Sequence, residues 1–329
     1  MERCLSTLDP LPVEGYTPEA QRLLSGGGST FPHTVGYRRG ELLRLRAHVA
    51  TRMSMSGMQD KVSLVYKAGR LEVADKGGEY ILKPRPVELP ELTDDVPANE
   101  HVTMLIAERV FGIDVPPNGL VRLADGELAF LVKRFDRVDG EKVPQEDFSQ
   151  LMGITPESHG ANYKYDGSSY EEIGELVLDA CPIDIEELYR RVVFCYAVSN
   201  GDAHLKNFSL YRPDDEHLET AVLTPAYDLL CTSLHFPNES RLAMPIFADE
   251  FETPSRAAHG FETGACFLEL ARRYRIADSR ATQLLEPFLS DEVRGRVEDL
   301  VGRSFLTPDA RTDYIDRYRG RQKALRIGL

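Results

Sequence analysis

Ser199–Leu210 reads SNGDAHLKNFSL and follows a long apolar stretch. Asp202 and Asn207 stand in it as D-x-x-x-x-N, with His204 between them. A carboxylate in such a loop can take the proton of an attacking hydroxyl, while the amide oxygen holds a metal ion on phosphate. A loop step of this length lets both groups address one phosphoryl group. Farther on, Asp228 lies in LTPAYDLL, on the turn after a short strand, where it could give the metal a second oxygen. Upstream, Lys83 closes the apolar strand YILK and meets Pro84. Its ammonium could sit on nucleotide phosphate, and Glu100 on the following helix could hold it in place.

Each residue has an ordinary reading as well. D-x-x-x-x-N arises by chance, Lys83 could be a strand-end surface lysine, and Asp228 could be a plain turn residue. Glu100 could be a helix N-terminal charge favoured by the dipole. His204 has no H-x-x-x-H or H-x-E partner for a zinc site, so buttressing the loop is its simpler role. Chain order favours the chemical reading. Lysine, glutamate, base, amide and aspartate follow one another as in a protein-kinase active site, although Tyr227 and Leu229 flank Asp228 where a DFG sequence would stand.

The elements that must position these groups change character along the chain. Residues 1–50 read as irregular, with a loop at Gly26–Pro32 and a short helix at Gly40–Ala50. Strands are expected at Lys61–Tyr66, Arg70–Ala74 and Tyr80–Lys83, then an extended loop marked by Pro84, Pro86, Pro90 and Pro97. Asn99–Phe111 is predicted helical, and Gly119–Arg122 with Glu127–Phe135 forms a hairpin about Asp125–Gly126. After Asp136, helices dominate: Tyr170–Ala180, Ile185–Val198, Ala265–Tyr274 and Asp309–Ala324, interrupted by a β-like island from Phe208 to about Thr232. The expected fold class is α+β with two lobes and a cleft between them. The strand-rich N-lobe spans residues 1–136 and the mostly helical C-lobe residues 137–329.

Composition narrows the function classes. With 39 basic and 53 acidic residues the net charge is −14, which disfavours direct binding of nucleic acid. The only candidate basic cluster, Arg38–Arg52, is equally well a solvated helix face. No apolar run approaches the roughly 18–20 residues of a membrane helix. The N-terminus MERCLSTLDP lacks a secretory signal pattern, and the five cysteines are scattered without C-x-x-C. A cytoplasmic protein with reduced thiols is expected.

At this level of detail the chain resembles the HipA-like serine/threonine kinases. The matching segments are SMSGMQDK (Ser54–Lys61), YILKP (Tyr80–Pro84), Asn99–Glu100, VKRFDR (Val132–Arg137), QEDF (Gln145–Phe148), NGDAHLKN (Asn200–Asn207) and LTPAYD (Leu223–Asp228). They occur in family order across residues 52–230. Only about fifty residues precede the first of them, which looks like the shorter HipT-type toxin kinases, as does the S-x-S form of the loop. The resemblance implies a two-lobed protein-kinase-like fold, ATP and Mg²⁺ as cofactors, and Asp202 as general base. It implies Lys83 on the ATP phosphates, supported by Glu100, and the backbone of Lys133, Arg134 and Phe135 as adenine hinge. Asn207 and Asp228 would hold Mg²⁺, with His204 beside the nucleotide. Gly57 would lie in the phosphate-covering loop, and Ser54 and Ser56 would be autophosphorylation sites.

Implied partners are an aminoacyl-tRNA synthetase as substrate, a small HipS-like protein and a helix-turn-helix HipB-like antitoxin. One departure widens the choice. His204 stands where eukaryotic-type kinases carry lysine, and G-D-x-H-x-x-N also resembles small-molecule phosphotransferases of the aminoglycoside and choline kinase type. A non-catalytic ATP binder is a third reading, disfavoured because Lys83, Asp202, Asn207 and Asp228 are all intact.

Overall fold

The computed structural model describes residues 2–49, 60–138, 141–212 and 221–329. An antiparallel sheet of β1 (Val62–Lys67), β2 (Arg70–Val73), β3 (Tyr80–Pro84), β4 (Asn118–Arg122) and β5 (Leu128–Lys133) runs in the order β2-β1-β3-β5-β4. Ala68 and Gly69 both have positive φ, 49° and 79°, as the tight turn between β1 and β2 demands. In β3 the pleat sends Ile81 and Lys83 to one face, where they pair in register with Val132 and Phe130 of β5. That face looks into the cleft.

After α1 (Pro18–Ser25) and α2 (Arg39–Val49), helix α3 (Val96–Arg109) crosses the sheet, and every residue from Val96 to Ala107 is buried. It packs on β4 and β5 on one side and on the C-terminal helices on the other. The Thr103 hydroxyl lies 3.0 Å from that of Tyr314. A helix buried all round carries no amphipathic stripe, which is why its polar residues Asn99, Glu100, His101 and Thr103 each bury a polar group inside the protein. It begins three residues before the predicted start, with Pro97 in the first turn, where its missing N–H costs nothing.

The helical part contains α4 (Tyr170–Ala180), α5 (Ile185–Ala197), α6 (Gly264–Arg273), α7 (Asp278–Leu289), α8 (Asp291–Arg303) and α9 (Pro308–Leu325). A small sheet of β6 (Gln145–Asp147), β7 (Ser209–Tyr211) and β8 (Val222–Leu223) floors the cleft. It accounts for the β-like island. The mixed fold class is as expected, but α7 and α8 were not anticipated. Residues 2–49 are also more ordered than their sequence suggested. Pro18–Ser25 is a helix capped by the Thr17 hydroxyl and ended by Gly26 at φ 74°. The surrounding segments cover the edge strand β4: Leu120 N donates to Leu5 O, Arg122 N to His33 O, and Tyr16 Oη to Leu120 O. The otherwise unpaired sheet edge is thereby closed.

Candidate active site

Three elements bring the predicted residues together in a cleft of about 930 Å³. The sheet supplies Lys83, which is 3% exposed, and α3 supplies Glu100, which is 1% exposed. Lys83 Nζ donates to Glu100 Oε1 at 2.5 Å and also to Asp228 Oδ1. Lys61 Nζ, at the start of β1, reaches Asp228 Oδ2 at 3.0 Å. Burial alone would disfavour the Asp228 carboxylate, but the two ammonium groups outweigh it and hold the carboxyl well below the usual range. Asp228 itself has φ 55°, a left-handed conformation that short polar side chains tolerate. Burial pushes the Glu100 carboxyl up, with Lys83 opposing. Among the described residues, Glu100 Oε2 is a buried oxygen without a hydrogen-bond partner.

The loop carrying Asp202 leaves α5 through Ser199 at φ 57°. Asn200 Oδ1 accepts from the Asp202 amide at 3.1 Å, and Gly201 N donates to Thr232 Oγ1 at 2.7 Å. Thr232 Oγ1 in turn donates to Glu239 Oε1 at 2.5 Å. Burial, resisted by this bond, pushes the Glu239 carboxyl up to about 7. The Asp202 side chain is half exposed at the mouth of the cleft, and its Oδ1 accepts from Tyr165 Oη at 2.5 Å.

His204 is buried, and burial pushes it down to about 4, so the ring is neutral at pH 7. Its Nδ1 accepts from Lys206 N at 3.3 Å and its own amide donates to Asn207 Oδ1 at 3.1 Å. These bonds cap the turn Leu205–Asn207, the buttress role read from the sequence. Lys206 Nζ pairs with Asp147 at 2.8 Å.

Lys133, Arg134 and Phe135 line the same cleft. The amides of Lys133 and Arg134 donate to Pro117 O and Glu79 O, so these two donors are already engaged within the protein. Phe135 stacks on Tyr227 with ring centroids 5.7 Å apart. Ile81, Met104, Phe130 and Val132 give the inner end of the cleft an apolar lining. Ser54, Ser56 and Gly57 lie outside the described residues.

Three groups at the site were not singled out from sequence. Lys61 was visible as the last residue of SMSGMQDK. Tyr165 and the Thr232–Glu239 relay had no local signal, since each sits on or beside a helix of only three or four residues, too short to carry a periodic pattern. A buried lysine, hard oxygen donors on Asn207 and Asp228, and an apolar slot suit a nucleotide triphosphate and a magnesium ion, which takes few protein ligands and completes its shell with phosphate oxygens and water. Among the described residues no helix is long and apolar enough to cross a membrane, and all five cysteines are buried free thiols.

Comparison with known proteins gives the family and the fold. A family model described as the HipA-like C-terminal domain matches residues 53–295. A Haemophilus influenzae protein, provisionally named a kinase, is 32% identical over 351 aligned positions covering 99% of this chain and 98% of its own. Y4dM of Sinorhizobium fredii, also provisionally named a kinase, is 38% identical over 213 positions, 59% of this chain and 49% of its own. Among solved structures, Shewanella oneidensis HipA, captured with HipB and operator DNA, superposes with a TM-score of 0.65 at 20% identity, covering 91% of this chain and 74% of that one. The Helicobacter pylori proinflammatory kinase CtkA gives 0.53 at 12% identity, covering 90% and 95%. Those two likenesses concern the fold.

Proposed function

The chain belongs to the HipA-like C-terminal domain family, a family of kinase-like enzymes, and from that premise we propose that it is an ATP- and Mg²⁺-dependent serine/threonine protein kinase of the HipT type. The observation that carries the reading is the convergence of Lys83, Glu100, Asp228 and Asp202 on one cleft from distant parts of the chain. The N-lobe is taken to end at Asp136 and the C-lobe to run from 137.

In this reading Asn207 and Asp228 are the residues that would hold Mg²⁺, which would supply neutralisation of phosphate charge when bound. Lys83, released from Asp228, binds phosphate while Glu100 keeps its ammonium oriented. Lys61 is the second cation available to phosphate at the same carboxylate. The Lys133–Phe135 stretch holds the base. Asp202 accepts the proton of the acceptor hydroxyl, and His204 keeps the turn between Asp202 and Asn207 in shape. Catalysis then rests on positioning and charge neutralisation. The acceptor is proposed to be a serine of an aminoacyl-tRNA synthetase, with the chain acting as a toxin in the cytoplasm, restrained by a HipB-like antitoxin and a small HipS-like protein.

Incubating the purified chain with γ-labelled ATP and a whole-cell lysate tests the activity. A labelled protein band is the expected result. Label confined to the small-molecule fraction would instead mark a phosphotransferase of the aminoglycoside or choline kinase type.

Regulation by Ser54 and Ser56 follows from charge. A phosphoserine adds about −1.5 to −2 charge beside the negative triphosphate. Chain phosphorylated at Ser54 or Ser56 should therefore bind ATP more weakly than unmodified chain. Calorimetric titration of the two forms checks this, and equal affinities would reject it.

A further inference from the structure

Tyr165 lies on the short helix Tyr163–Asp166, at the lip of the cleft. Two features fix its place. Gly167 closes the segment so tightly that a Cβ there would come within 2.5 Å of Tyr163 O and 2.7 Å of Ile154 Cγ2. The Tyr165 ring meets His204 edge-on at 5.0 Å, and Lys164 Nζ lies 4.9 Å from the ring centroid. The phenol is thus delivered to the half-exposed carboxylate of Asp202, where Oη donates to Oδ1 at 2.5 Å. A hydroxyl held within hydrogen-bond reach of a general base is the geometry required of a nucleophile before transfer. No other hydroxyl among the described residues donates to Asp202 in this structure. The carboxylate that an incoming acceptor must reach is already engaged by the chain's own tyrosine.

We infer that Tyr165 is an internal phosphate acceptor, modified in cis by the cleft it lines. The inference rests on the kinase reading above. The Tyr165 Oη–Pγ bond forms as the bond from Pγ to the β,γ-bridging oxygen of ATP breaks. The phenolic proton passes to Asp202 Oδ1, and ADP leaves with the bridging oxygen. Burial, followed by the bond to Asp202, pushes the Tyr165 phenol above its ordinary value, so it stays protonated at neutral pH and needs that base. Once phosphorylated, Oη can no longer donate to Asp202. It instead places about −1.5 to −2 charge next to the carboxylate.

The test uses the full chain with ATP and Mg²⁺, followed by phosphopeptide mapping by mass spectrometry. Phosphate on Tyr165 is expected, with a first-order rate constant unchanged on dilution of the protein. Tyr165→Phe, which keeps the ring against His204, should lose that phosphopeptide, and Asp202→Asn should lose it too. Mapping the unmutated chain keeps the result independent of how either variant folds. Phosphate on serine or threonine of the chain, or on lysate proteins, with Tyr165 unmodified would overturn the inference and leave the kinase reading standing. A rate constant rising with protein concentration would overturn transfer in cis. No transfer to any hydroxyl would overturn both.

Discussion

Asp202→Asn should lower phosphoryl transfer by about 10²–10⁴-fold, the usual worth of a general base, while ATP affinity and folding stay near their original values. The substitution is nearly isosteric at a half-exposed position, so it opens no cavity and strands no buried charge. The loop around it is held by other groups: Asn200 Oδ1 on the residue-202 amide, and the chain from Gly201 through Thr232 to Glu239. Tyr165 Oη can donate to the amide oxygen as it does to the carboxylate. What is lost is a group able to accept a proton. Lys83, Lys61 and Asp228, with Glu100, form a separate ion-pair cluster that the change leaves intact. Turnover with a labelled protein acceptor, ATP affinity and a melting curve together check this. A variant that keeps full turnover would remove Asp202 from the role of base. Asn207→Ala differs in kind: it should raise the Mg²⁺ concentration needed for half-maximal rate.

The parts of this site legible in the sequence are those fixed by short-range spacing. Asp202, His204 and Asn207 share one loop, so their relation is written in consecutive letters. Lys83 was legible because an apolar strand ends on it, and Glu100 because it opens a helix. Pairings across the chain were less visible. Asp228 meets Lys83 only because it adopts a left-handed conformation that turns its carboxylate toward the sheet, and nothing in LTPAYD specifies that φ. Lys61 meets the same carboxylate through the sheet register. Tyr165 reaches Asp202 because Gly167 lets a segment punctuated by Gly153, Gly160 and Gly167 fold back on itself. The first 49 residues read as irregular because their ordering partner is the distant edge strand β4. α7 runs through Pro287 to Leu289 and α8 starts at Asp291 under the Ser290 cap, so a proline inside one helix and a one-residue gap before the next blur the period of both.

Lys83→Met should both abolish nucleotide binding at its phosphate end and destabilise the protein by about 3–5 kcal/mol, the usual cost of removing one partner of a buried ion pair. Glu100 is the reason. It is 1% exposed, and among the described residues its Oε2 lacks a hydrogen-bond partner and Lys83 is the one cation bonded to its Oε1. Asp228 is less affected, because it is partly exposed and keeps Lys61 at 3.0 Å. The loss should depend on pH in a direction set by Glu100. Burial already pushes that carboxyl up, with Asp228 adding to it, and Lys83 is the chief group opposing it beside a weaker Lys61, so without Lys83 it rises further. A carboxyl raised in the folded state favours folding when protonated and loses that advantage as pH climbs through its folded value. The variant should therefore be most impaired near pH 8 and less so near pH 5.5, the reverse of the acid loss expected where a depressed carboxylate such as Asp228 dominates. Adding Glu100→Gln, which removes the stranded charge, should restore part of the stability without restoring ATP binding. Denaturant midpoints of the single and double variants at both pH values decide it. An equal loss at both, or no recovery in the double variant, would show that the Lys83–Glu100 pair does not hold the sheet to α3 in this way.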